Sequence, residues 1–132
     1  MDLTKKHCIP CEGGFPPMSN KEENEYIKKI KGWTLNRNGI HKISKYFVFK
    51  NFVDAMAFVN NVALIAEQEG HHPDIHISYN KVLIESYTHA IKGLSENDFI
   101  LAAKIDKIAD KKNKNLKKNR KLTKGKKYKM KC

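Results

Sequence analysis

The stretch NFVDAMAFVNNVALIAEQEGHHP, residues 51–73, restricts the fold of this chain more than any other segment. Phe52, Ala55, Val59, Val62 and Ala66 recur at spacings of three and four, which gives a helix over 51–69 one apolar face. Gly70 stops that helix, and Pro73 sends the chain on in extended form. A helix with one apolar face needs a surface to cover, and the flanking sequence supplies one. Upstream, Trp33–Asn36 leads through Arg37-Asn38-Gly39 into 40–49, rich in Ile, Tyr, Phe and Val; Asn-Gly between two such runs signals a hairpin. Downstream, Ile75, Ile77 and Tyr79 alternate, Asn80-Lys81 is the expected turn, and 81–88 forms a second β run.

Two further helices close the pattern. Ser19-Asn20-Lys21-Glu22 fits a capping box and predicts a helix to about Lys31. Ser95 is expected to cap the last helix, with Asp98 at its third position and Leu94 and Phe99 placed as a hydrophobic staple. Leu101, Ile105 and Ile108 form its apolar stripe. The order α-β-β-α-β-β-α predicts an α+β domain over 19–110: a four-stranded antiparallel sheet with helices packed on one face. Residues 1–18 hold three of the four prolines and read as an extended arm.

The formal charge of +12 suggests a nucleic-acid binder until it is mapped. Residues 111–132 carry twelve of the 26 Lys and Arg and no acid, which leaves 14 basic against 14 acidic residues in the body. The excess belongs to a tail whose composition predicts disorder. Such a tail is either solvated or a weak polyanion contact, and Tyr128 alone offers little for stacking on RNA. No apolar run is long enough to span a membrane, and the N-terminus lacks the stretch of a secretory signal. A cytoplasmic protein is expected, with the nucleus as the alternative.

Four of the six histidines crowd into 71–89. Glu67 ends the long helix, His71 and His72 leave it, and the second hairpin returns the chain so that His89 lies near them. Imidazole titrates near neutrality, so such a cluster can supply a general acid and a general base together. Zinc is a rival reading for His71, His72 and His76, although His76 alternates toward solvent and adjacent histidines do not easily share one ion. Solvated loop histidines are a third. Spacing alone leaves all three open.

Taken together, Glu67-(x3)-His71-His72-Pro73, Tyr79-Asn80-Lys81-Val82, Thr88-His89 and Gly93-Leu94-Ser95-(x2)-Asp98 resemble the pterin-4a-carbinolamine dehydratase family over about 19–109. The arm Cys8-Ile9-Pro10-Cys11-Glu12-Gly13-Gly14 is similar to the N-terminal segment of many microbial members. The resemblance implies dehydration of 4a-hydroxytetrahydropterin to quinonoid dihydropterin in tetrahydrobiopterin recycling, with no metal and no redox cofactor. It implies His71 and His89 as acids on two sides of the leaving hydroxyl. His72 would bind the pterin and assist as base, and Glu67 would orient a neighbouring imidazole. Pro73, Thr88, Ala90 and Ile91 would complete the substrate site. The family often carries an aromatic residue where this chain has Ile75. A homodimer or homotetramer is also implied.

Other features point elsewhere. Cys8-x2-Cys11 with His7 could be half of a zinc site, a redox dithiol or a pair of structural cysteines. Trp33, Phe47 and Phe49 are expected in the core, and Asp98 is read as a helix-start acid. A binding protein of the same fold that stabilises transcription-factor dimers is the second functional class.

Overall fold

A computed structural model describes residues 2–10 and 15–122, and of 111–122 it gives the backbone course only. Helix α1 (Asn20–Ile27) opens on the expected capping box: Ser19 Oγ accepts from the Glu22 amide and Glu22 Oε1 accepts from the Ser19 amide, both at 3.2 Å. It ends four residues before Lys31, where the chain turns toward Gly32 at φ +81°. Strands β1 (Thr34–Asn36) and β2 (Lys42–Val48) form the first hairpin, with Gly39 in its loop at φ +79°.

Helix α2 (Phe52–Glu69) then crosses to the second hairpin, β3 (Asp74–Ser78) and β4 (Lys81–Ser86). The last helix is α3 (Glu96–Leu122). Its backbone runs on into the basic segment; residues 123–132, with Tyr128, lie outside the described residues. Among the described residues no helix is long and apolar enough to cross a membrane.

The strand order is β1-β2-β4-β3 with every neighbour antiparallel, so the two hairpins meet along β2 and β4. The architecture is therefore the α+β sheet expected. Alternation along the strands sorts their side chains: Ile43, Phe47, Val82 and Ile84 are buried under the helices, whereas Tyr46 and Val48 on the opposite face are exposed.

Two details differ from the sequence pattern. On α2 the buried stripe is Ala55, Phe58, Val62 and Ala66, while Phe52 is exposed at the helix start. Phe58 sits three residues after Ala55 and four before Val62, and its ring lies 4.8 Å from that of Phe47 and 4.9 Å from that of Phe49. The second hairpin turns on Tyr79-Asn80 rather than Asn80-Lys81, because Ser78 pairs with Lys81. Tyr79 adopts φ +52°, and Asn80 ties the turn to the end of β2 by donating from Nδ2 to the Phe49 carbonyl at 2.9 Å.

Candidate active site

Two backbone devices bring the histidines together. Gly70 ends α2 in the left-handed conformation at φ +64° and ψ +27°, where a side chain is disfavoured. The His71 amide then donates back to the Ala66 carbonyl at 3.2 Å, which turns His71 under the helix and leaves His72 outside. On the other side, Thr88 and Gly93 form an isolated antiparallel bridge that closes a small loop around the 3-10 turn His89–Ile91. A Cβ on Gly93 would stand 2.5 Å from Pro17 Cβ, so only glycine allows this loop to pack against the incoming chain.

Asp98 organises the buried half of the site. Its carboxylate is fully buried and accepts four hydrogen bonds. Ser86 Oγ donates to Oδ1 at 2.6 Å; Thr88 Oγ1 and the Ser95 amide donate to Oδ2 at 2.8 and 3.0 Å. The fourth donor is His71 Nε2, 2.7 Å from Oδ1. An ionised carboxylate has about four acceptor positions, and these donors fill them. Nε2 of His71 therefore carries its proton toward Asp98, and Nδ1 is the ring atom left for exchange with a ligand.

This revises the view of Asp98 as a helix-start acid alone. It does receive the Ser95 amide, as half of a capping box would, but the Ser95 hydroxyl bonds Thr88 Oγ1 at 2.7 Å instead of closing the box. The sequence signal was the pairing of a polar Ser86 and Thr88 with Asp98 on elements that otherwise read as core.

His72 is placed differently. Its Nε2 lies 2.7 Å from Glu67 Oε1, and the side chains are 60% and 78% exposed. Glu67 thus pairs with His72 and not with His71. His89 is exposed, its ring 4.1 Å from that of Tyr87. These histidines share a cleft of about 270 Å³ whose wall is formed by Ile9, Gly70, His71, His72, Thr88, His89 and Ala90. Glu67 does not line this cleft but pairs with His72, which does, and Pro73 and Ile91 flank it in sequence without lining it. His76 points away, exposed, and pairs with Glu85 at 2.9 Å across the β3–β4 ladder. Among the described residues no group of three His, Cys, Asp or Glu side chains is arranged to hold a metal ion.

Ile9 was not anticipated in the wall. The arm begins with a 3-10 turn at Leu3–Lys5, whose Leu3 is buried, and then crosses the ends of α2 and α3. Glu69 receives it: the carboxylate, 6% exposed, accepts from the Cys8 amide at 3.0 Å and pairs with His7 and Lys104. Burial raises the Glu69 pKa, but these hydrogen bonds outweigh it and hold the carboxyl down at about 2. Cys8 Sγ also reaches the Asn97 carbonyl at 3.5 Å. Cys11 lies outside the described residues.

The family model for pterin 4 alpha carbinolamine dehydratase matches residues 16–108. The chain belongs to the pterin-4a-carbinolamine dehydratase family. A protein of Nitrosospira multiformis named "Putative pterin-4-alpha-carbinolamine dehydratase" is 53% identical over 108 residues, 81% of this chain and 92% of that one. A crystal structure from Brucella melitensis, described as a transcriptional coactivator/pterin dehydratase, superposes with a TM-score of 0.67 at 33% identity, over 70% of this chain and 98% of that one. A pterin dehydratase-like protein described as a RuBisCO assembly factor in the alpha-carboxysome matches with a TM-score of 0.52 at 24% identity, over 59% of this chain and 89% of that one. That last likeness concerns the fold alone.

Proposed function

We propose that this protein dehydrates 4a-hydroxytetrahydropterin to quinonoid dihydropterin and water, with neither metal nor redox cofactor, as a step of tetrahydrobiopterin recycling. The observation that carries this reading is His71: buried, fixed through Nε2 by a fully satisfied carboxylate, and set in one cleft wall with His72 and His89. In the reaction the C4a–O bond breaks and the hydroxyl leaves as water after taking a proton. N5 gives up its proton to a base. A ring with Nε2–H anchored on a carboxylate suits the first task in its imidazolium form, because the carboxylate supports the positive charge and the second proton, on Nδ1, is the one given to the leaving hydroxyl. His71 is assigned as acid from Nδ1, with His89 as the acid on the other side. His72, held loosely by Glu67, is assigned to bind the pterin and to assist as base.

The direct test is turnover of freshly generated 4a-hydroxytetrahydrobiopterin by the full chain. His71→Ala should lower kcat by about 10²–10⁴-fold, the usual scale of general acid–base catalysis, with a smaller change in KM. His89→Ala should act in the same direction. Folded variants with near-normal turnover would end the acid–base assignment.

The chain is further proposed to form a homodimer or homotetramer. Tyr46 and Val48 stand exposed side by side on the helix-free sheet face, the apolar surface that a second copy would cover. A monomeric mass by light scattering would refute this.

A further inference from the structure

The N-terminal arm is fixed most closely at the residue that faces the cleft. Asn97, itself buried, closes two hydrogen bonds on the Ile9 backbone: the Ile9 amide donates to Oδ1 at 3.0 Å, and Nδ2 donates to the Ile9 carbonyl at 2.7 Å. This is the pattern a neighbouring strand would make, supplied here by one side chain. One residue earlier, the Cys8 amide is held by Glu69. The two anchors adjoin the two ends of the catalytic pair, since Glu69 precedes Gly70-His71 and Asn97 precedes Asp98. The result is an isoleucine in the wall beside His71, His72 and His89 with its residue still 66% exposed. Ordering an arm costs conformational entropy, and an apolar side chain left in water returns little of it. A ligand that covers Ile9 would.

We propose that Ile9 is a substrate-contacting, specificity-determining residue whose side chain packs on the flat pterin ring, and that Asn97 is the positioning residue that holds it there. This rests on the cleft being the pterin site. A planar heterocycle has polar edges and apolar faces, so the histidines suit its edge and the reacting centre, while a branched aliphatic suits its face. The arm thereby becomes the cleft's outer wall.

The test uses the full chain with Ile9→Ser, Ile9→Leu and Asn97→Ala. Each is measured for KM and kcat with 4a-hydroxytetrahydrobiopterin, for Kd with the stable analogue 7,8-dihydrobiopterin, and for melting temperature. Ile9→Ser should raise KM and Kd about 3–10-fold, the scale of leaving part of an isoleucine uncovered, with kcat within about twofold and melting unchanged. Ile9→Leu should restore most of the affinity. Asn97→Ala should raise KM to a similar degree, and combining it with Ile9→Ser should add little. Wild-type turnover with unaltered KM and Kd in Ile9→Ser would overturn the role of Ile9 and leave the dehydratase reading standing. A fall in kcat with unchanged KM in Asn97→Ala would show Asn97 acting through Asp98, and would overturn its positioning role. Wild-type protein that neither turns over nor binds a pterin would overturn both readings of the cleft.

Discussion

His71 and His72 are neighbours in sequence, each lies 2.7 Å from a carboxylate, and they share almost nothing else. Asp98 is fully buried and carries three donors besides His71, whose side chain is 10% exposed. Glu67 stands largely in water beside a ring that does the same. The left-handed Gly70 produces this difference by turning the chain between helix and strand, so that successive side chains leave in opposite directions. A histidine–carboxylate pair acquires a fixed tautomer and orientation only when the rest of the carboxylate is satisfied. An exposed pair competes with water and with its own side-chain entropy. One end of the cleft is built to hold an imidazole ring in place; the other is free to adapt to a ligand.

The sharpest way to break that comparison is Asp98→Asn. The amide keeps the shape but replaces acceptor capacity with a donor, where all four neighbours donate to the carboxylate. Leaving such donors unpaired costs about 1–3 kcal/mol, so the melting temperature should fall. Turnover should fall on the order of 10–10²-fold through kcat, a part of what a positioned acid supplies. Steady-state kinetics with a melting curve check both, and kcat unchanged in a folded variant would show that His71 needs no orienting partner.

A second test uses Glu69, two residues beyond Glu67 and on the buried side of the same helix end. Its pKa falls from an ordinary value of 4.5 to about 2 on folding. A depressed acid contributes stability that is fully present above about pH 4.5 and is lost as the pH falls through about 2. The shift corresponds to roughly 3 kcal/mol. Glu69→Gln should therefore lower the melting temperature at neutral pH and flatten its decline between pH 4.5 and 2. A scanning calorimetry series on both proteins measures this, and parallel acid limbs would refute it.

Much of this arrangement was legible in the residues, because it follows from local rules. The Ser19–Glu22 box, the stop at Gly70, the outward His76 and the two hairpins each rest on short-range spacing, whereas the meeting of the hairpins along β2 and β4 is a long-range pairing that spacing does not give. Asp98 was harder to place. Its position at a helix start already explained an acid there, and only the fold brings Ser86, Thr88 and His71 around it. The turn at Tyr79-Asn80 was displaced by one residue because an aromatic at positive φ is uncommon, and cross-strand pairing overrode that preference. Phe58 and Ile9 failed for opposite reasons. Several apolar residues on α2 compete for one buried stripe, whereas the arm has no periodicity from which a contact more than sixty residues away could be read.

The smallest effects should come from the exposed pair, and they sharpen the comparison most. If His72 holds the ring without transferring the critical proton, His72→Ala should raise KM about tenfold, the equivalent of about 1.4 kcal/mol, and change kcat much less. Glu67→Gln should do less still. Exposed ion pairs contribute about 0–1 kcal/mol, so KM should change by no more than about fivefold, and the effect should shrink at high salt, where surface charges are screened. The double variant then reports on the link between them: if Glu67 acts only by steering His72, removing Glu67 in the His72→Ala background should change nothing. Kinetics on the four-member cycle at low and high ionic strength decide it. A loss in Glu67→Gln as large as that in Asp98→Asn, or one that persists without His72, would mean that the exposed carboxylate meets the substrate itself.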